Sequence, residues 1–181
     1  MPLLEVGHWI VAGLFTLTLV WAAVSDIRTR TIPNWTALAV IGLFVLLALL
    51  NGWVWAEHAI LAGFIALAVG VGLYALGVVG AGDAKLFAAV ALFTGLDHLL
   101  PLGLVTSLVG GAIAVVSLAL RPRRALVMFA LGGKGDFGRG IPYGVPIAIA
   151  GIVLVWAALL NLPGSPIQLV RASLGVVRSN S

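Results

Sequence analysis

Long apolar runs alternate with short polar breaks along the whole chain. The runs extend from about Trp9 to Val24, Trp35 to Leu50, Ala59 to Val79, Leu86 to Leu96, Pro101 to Leu120 and Ile141 to Leu162. At a rise of about 1.5 Å per residue, some twenty apolar residues cross the roughly 30 Å of a bilayer's hydrocarbon core. The breaks are compact: Ser25 to Asn34, a short connection from Asn51 to His58 with Trp53 and Trp55 at interfacial level, Gly80 to Lys85, Asp97-His98, and the stretch opened by Arg121-Pro122-Arg123-Arg124. This pattern predicts an all-α membrane protein, a polytopic bundle of about six transmembrane helices. Residues 1–162 would form one transmembrane domain, and 163–181 a C-terminal tail lying along the membrane surface.

The fourth run is short enough to suit a re-entrant segment, and charge decides the matter. With six spans and the N-terminus outside, Arg28, Arg30, Lys85, Arg121, Arg123, Arg124, Lys134 and Arg139 share the inner side. Only Arg171 and Arg178, in the tail, fall outside, as the positive-inside rule expects. Removing the fourth span would send the Arg121–Arg124 cluster outward, so six spans are retained. The first residues, MPLLEVGHW, carry no Lys or Arg, and the first run therefore reads as a retained span rather than a secretory signal.

Composition sharpens the exclusion of a soluble fold. Of 181 residues 62% are hydrophobic and 9% charged, with a mean hydropathy of +1.19; soluble chains are about 25% charged. The net charge of +4 comes from basic residues scattered along apolar sequence, which argues for orientation against lipid and not for nucleic-acid binding. Cysteine is absent, which removes disulfides, thiolate catalysis and Cys-ligated zinc. The three histidines are dispersed, so neither a metal site nor a cofactor is predicted. Oligomeric state is not encoded in any such pattern.

Six acids make the search for chemistry short. Glu5, Glu57, His8 and His58 sit at outer span boundaries and read as solvated ends. Asp97 and His98 are adjacent, would face different ways on a helix, and suit a turn or helix start. Asp26 follows the first span and Asp83 the third, so an out-and-back hairpin returns both to the inner side. Paired carboxylates cannot both ionise cheaply and hold a proton between them, the minimum equipment for hydrolysing a peptide bond. The plain alternatives are polar trim for Asp26 and a helix N-cap for Asp83. Their surroundings favour a site. Pro33 lacks a backbone donor and biases Ile32 towards extended geometry, so the second span should begin after Pro33-Asn34. Gly80 and Gly82 permit unusual dihedrals and close backbone approach beside Asp83, and equally could end the third helix.

Asp26 followed by Ile32-Pro33-Asn34, then Gly80-x-Gly82-Asp83-x-Lys85 before a later span, resembles the prepilin peptidase (type IV leader peptidase) family. Ile141-Pro142-Tyr143-Gly144-Val145-Pro146 is similar to the segment that opens the family's last span. The resemblance covers roughly residues 8 to 160. It implies a polytopic aspartic endopeptidase of the bacterial inner membrane, facing the cytoplasm, with Asp26 and Asp83 as catalytic pair and Pro33, Asn34, Gly80, Gly82 and Lys85 shaping the site. Larger members carry a zinc-binding cysteine domain that methylates the new N-terminus; with no cysteine and no room for it, cleavage without methylation is implied. The short form looks like the enzymes of Flp/Tad-type pilus systems. The implied substrate is a prepilin or pseudopilin with a short, often basic leader before a hydrophobic helix. A basic leader against a basic face requires either screening by anionic lipid or a path along the carboxylates.

Other features carry less. Gly133-Lys134-Gly135-Asp136-Phe137-Gly138 matches a dinucleotide fingerprint, but no βαβ unit is available to present it. It also repeats GxGD at Asp136, without the following Lys and without opening into a span, leaving a supporting role open. The apolar piece Ala125 to Leu131 reads as a loop dipping into the membrane, an interfacial helix or a lid. Lys85 either lowers the pKa of Asp83 or points outward to lipid phosphate, with the second preferred. Two other classes compete with a peptidase. A small transporter subunit would need acids in mid-span, and here they lie at span ends. A non-catalytic membrane assembly or scaffold protein would tolerate loss of both aspartates.

Overall fold

The structure, a computed structural model, describes residues 2–51, 53–120 and 143–160. Among these residues there are six α-helices and no strand: α1 (Pro2–Thr29), α2 (Asn34–Asn51), α3 (Trp53–Ala75), α4 (Ala81–Thr94), α5 (Leu99–Leu120) and α6 (Gly144–Leu160). A single 3-10 turn, Leu96–His98, joins α4 to α5. The chain is an all-α membrane protein, with stretches of α1, α3 and the segment ending in α5 long and apolar enough to cross a bilayer. Its outward surface is greasy: Leu17, Leu38, Phe64 and Leu108 all stand exposed, as lipid-facing positions should.

Helix ends depart from the edges of the apolar runs. The first run stops at Val24, yet α1 continues to Thr29, so Asp26 lies in its last turn and not in a polar connection. The hydroxyls of Ser25 and Thr29 finish this end: Thr29 Oγ1 donates to the Ser25 carbonyl at 2.8 Å and Ser25 Oγ to the Thr31 carbonyl at 3.0 Å. The expected connection 51–58 shrinks, because α3 begins at Trp53. At its other end α3 stops at Ala75, ahead of Val79. Gly77, at φ +71°, supplies a left-handed C-terminal cap, with its N–H on the Tyr74 carbonyl and the Val78 N–H on the Leu73 carbonyl. Hydropathy reports where lipid lies; hydrogen-bond closure decides where a helix stops. The second helix begins at Asn34, as Pro33 requires, and buried Thr36 closes its first turn on the Pro33 carbonyl at 2.7 Å.

The short fourth run becomes the centre of the protein. Fourteen residues long, α4 rises only about 21 Å. It packs against α3, α2 and α6, and buries Leu86, Val90, Ala91 and Phe93. α1 lies antiparallel to α4 and α6. Asp26 meets Gly144 at one end, Phe15 stacks on Phe93 at 4.3 Å midway, and Trp9 meets Trp156 farther on. Between them Trp156 Nε1 donates to Thr16 Oγ1 at 2.9 Å, a polar bond between α1 and α6. This antiparallel arrangement brings the C-terminus of α1 and the N-termini of α2, α4 and α6 to the same end. Asp97 and His98 lie in the 3-10 turn at the opposite end, the turn expected of them.

Candidate active site

Asp26 is 6% exposed, a carboxylate enclosed by helix ends. Its Oδ2 accepts the backbone N–H of Gly144, the first residue of α6, at 2.7 Å. That N–H has no partner within its own helix, and the helix dipole favours an anion there. A side chain at position 144 would place its Cβ 2.8 Å from Asp26 Oδ2 and 3.1 Å from Ile32 Cδ1. Glycine is therefore needed for space, and the contact spans 118 positions of sequence.

Asp83 repeats the device on a second helix. It occupies the first turn of α4, not the N-cap, which is Gly80; the Gly80 N–H donates back to Asp83 Oδ2 at 3.2 Å. Gly80 has ordinary extended dihedrals, so its value is not unusual geometry. A Cβ there would stand 2.8 Å from Asp83 Oδ2. Burial and the neighbouring Asp26 charge push the Asp83 carboxyl up to about 6 from an ordinary 3.8, opposed by the Gly80 hydrogen bond. The charge of Asp26 thus reaches Asp83 across 57 positions of sequence, and both lie at the same end of the bundle.

Ile32 couples the two motifs. Its side chain reaches both glycines: a Cβ on Gly82 would lie 3.3 Å from Ile32 Cβ, and one on Gly144 would press on Ile32 Cδ1. Pro33 and Asn34 follow directly and open α2. Lys85 stands exposed near the start of α4. Its Nζ donates to Asn34 Oδ1 at 3.2 Å, tying α4 to α2, and it is not among the causes acting on Asp83. Gly144 joins the site only through the fold. The signal was present in the third motif, but only the fold shows that its N–H faces Asp26. Asp136, the Gly133–Gly138 stretch, Ala125 to Leu131 and the whole of 121–140 lie outside the described residues. Among the described residues, no three of His, Asp or Glu stand together as metal ligands.

Taken together, the helices define a membrane protein with a coupled pair of carboxylates held at one end by backbone donors. The chain belongs to the type IV leader peptidase family, whose model matches residues 13–115, more than half its length and including both Asp26 and Asp83. It is accordingly a membrane protease of the leader-peptidase kind. No curated protein and no solved structure gives a match.

Proposed function

We propose that this chain is an aspartic endopeptidase that removes the short leader of a prepilin-like protein. Asp26 and Asp83 form its catalytic pair, at the cytoplasmic face of a bacterial inner membrane that the chain crosses several times. The observation that carries this reading is the convergence of the two aspartates, each fixed by a glycine N–H at a helix start, with one charge felt by the other. Asp26, ionised and braced by Gly144, takes a proton from water as its oxygen bonds to the scissile carbonyl carbon. Asp83, whose raised carboxyl carries a proton below about pH 6, donates a hydrogen bond to the carbonyl oxygen as negative charge develops there. The tetrahedral carbon then expels the amine, which leaves with the proton first taken by Asp26. One peptide bond and one water become a carboxylic acid and an amine.

The activity proposed is cleavage without methylation, since these residues offer no thiolate to hold the zinc of a methylating domain, and the short form suits an Flp/Tad-type pilus system. Pro33, Asn34 and Gly80 shape the site by marking where α2 and α4 begin, Gly82 by its close approach to Ile32, and Lys85 by its bond to Asn34. The test is co-expression with the pilin-like precursor encoded nearest to this chain's gene, read by its size shift. Asp26→Asn and Asp83→Asn should each leave the precursor uncut while the protein still accumulates in membranes. Leader removal by either variant would remove that residue from the pair, and by both would favour a scaffold.

A further inference from the structure

A groove of about 420 Å³ runs along α4 away from the aspartates, walled by α2 and α3. Its floor is a single stripe of α4, Lys85, Ala88, Ala89 and Leu92, which rises about 10 Å over two turns. Leu38 of α2 and Phe64 of α3 stand on its walls, 65% and 67% exposed. Asn34 and Lys85 supply the polar end, and among the described residues every other one lining it is apolar or glycine.

We infer that this groove docks the hydrophobic helix of the membrane-anchored substrate, with that helix's N-terminal end at Asn34–Lys85 and the scissile bond across Asp26 and Asp83. The inference rests on the peptidase reading and adds to it where the substrate's uncleaved part is held. Three features select a helix as occupant. Ala88 and Ala89 keep the floor low between the larger wall residues, as small residues that let a second helix approach closely in lipid do. The polar end lies at the aspartate end of the bundle, since Lys85 is only about 3 Å farther along α4 than Asp83 and is bonded to Asn34 at the start of α2. An ammonium group has three donors, and Lys85 shows one used here; two remain for the carbonyl oxygens that the substrate exposes where its backbone unwinds ahead of the helix. Binding energy gathered along the groove then holds a bond that has itself little to grip.

The absence of cysteine allows a direct test. Leu38→Cys and Phe64→Cys are each assayed before and after reaction with a bulky maleimide, beside Leu108→Cys on the exposed face of α5. Two substrates are used: the full precursor, and a soluble peptide with the same leader and cut site but no hydrophobic helix. Labelling at 38 or 64 should raise KM for the full precursor about tenfold with little change in kcat, the mark of lost uniform binding. The soluble peptide and the labelled Leu108 variant should show no change. An unaltered KM for the precursor, or equal losses with both substrates, overturns the docking site. So does release of a co-purified phospholipid on labelling, with KM unchanged, since the occupant is then lipid. Asp83→Asn, run in parallel, separates the two readings: cleavage by that variant sinks the peptidase assignment, whereas the groove result concerns docking alone.

Discussion

At one end of the bundle, four helix termini close around Asp26 and Asp83; at the other, His8, His58, Asp97 and His98 border a cavity of about 500 Å³. The far end has an open cavity with four titratable side chains around it. The near end has what chemistry needs: each carboxylate touches a backbone donor at a helix start, and glycines bring those donors within reach. Asp97 and His98, by contrast, are exposed, and His98 Nδ1 lies 3.1 Å from the Thr94 carbonyl one turn back in the chain. A cavity lined by ionisable groups is common; a buried carboxylate whose charge raises a second carboxyl is not.

The contrast breaks first under substitution of the acids themselves. Asp26→Asn or Asp83→Asn should lower leader cleavage by about 10²–10⁴-fold, the usual worth of general acid–base catalysis. His58→Gln and Asp97→Asn at the far end should stay within about twofold. A comparable loss from the far-end variants in the same assay would erase the distinction between the ends.

Next in size is Gly144→Ala. Its Cβ would sit 2.8 Å from Asp26 Oδ2 and push the carboxylate off its N–H donor. Misplacing a reacting group by about 1 Å can cost about 10²-fold, and rates of that order are expected, measured on protein of confirmed membrane yield. Gly72→Ala, with open space around it, should keep near-parent rates.

The pH dependence follows from Asp83. Because its protonated form is the working one, cleavage should fall as pH rises through about 6. Removing the Asp26 charge lowers the Asp83 midpoint only part of the way, as burial is the larger cause. Stability carries the same sign. A carboxyl raised in the folded state favours folding most below about 3.8 and loses that advantage as pH passes 6. Asp83→Asn should therefore raise the thermal midpoint in detergent at pH 8 and give no gain near pH 4. A rate that climbs through pH 6 would contradict a proton held at Asp83.

Smaller effects lie outside the pair. Gly82→Ala places a Cβ 3.3 Å from Ile32 and should destabilise by about 1 kcal/mol as Ile32 shifts. Thr16→Val breaks the bond to Trp156 between the ends, and about 0.6 kcal/mol is the typical value of such a bond in lipid. Thermal shifts in detergent read both, and neither should alter the pH profile.

Much of the fold was legible in the sequence because lipid imposes a simple demand. Every span must be apolar and must satisfy its own backbone, so apolar runs become helices. Helix ends were less legible. The run containing Val24 gave no sign that Ser25 and Thr29 would carry α1 on to Asp26's turn, since side-chain closure of the last turn is not a hydropathy signal. The bond made by Lys85 is hidden for a related reason: its partner is Asn34, 51 positions away, and only packing of α4 on α2 brings them together.

The sequence by itself determined an all-helical membrane protein, the pair of acids to watch, and the glycines beside one of them. Periodicity, charge and spacing are local properties, and these conclusions need nothing more. Tertiary structure alone decided that the N–H holding Asp26 comes from Gly144, that Ile32 wedges between two glycines, and that the shortest apolar run forms the centre. Those are contacts between distant segments. Their existence depends on which helix ends meet, and that is fixed by how six helices pack at once.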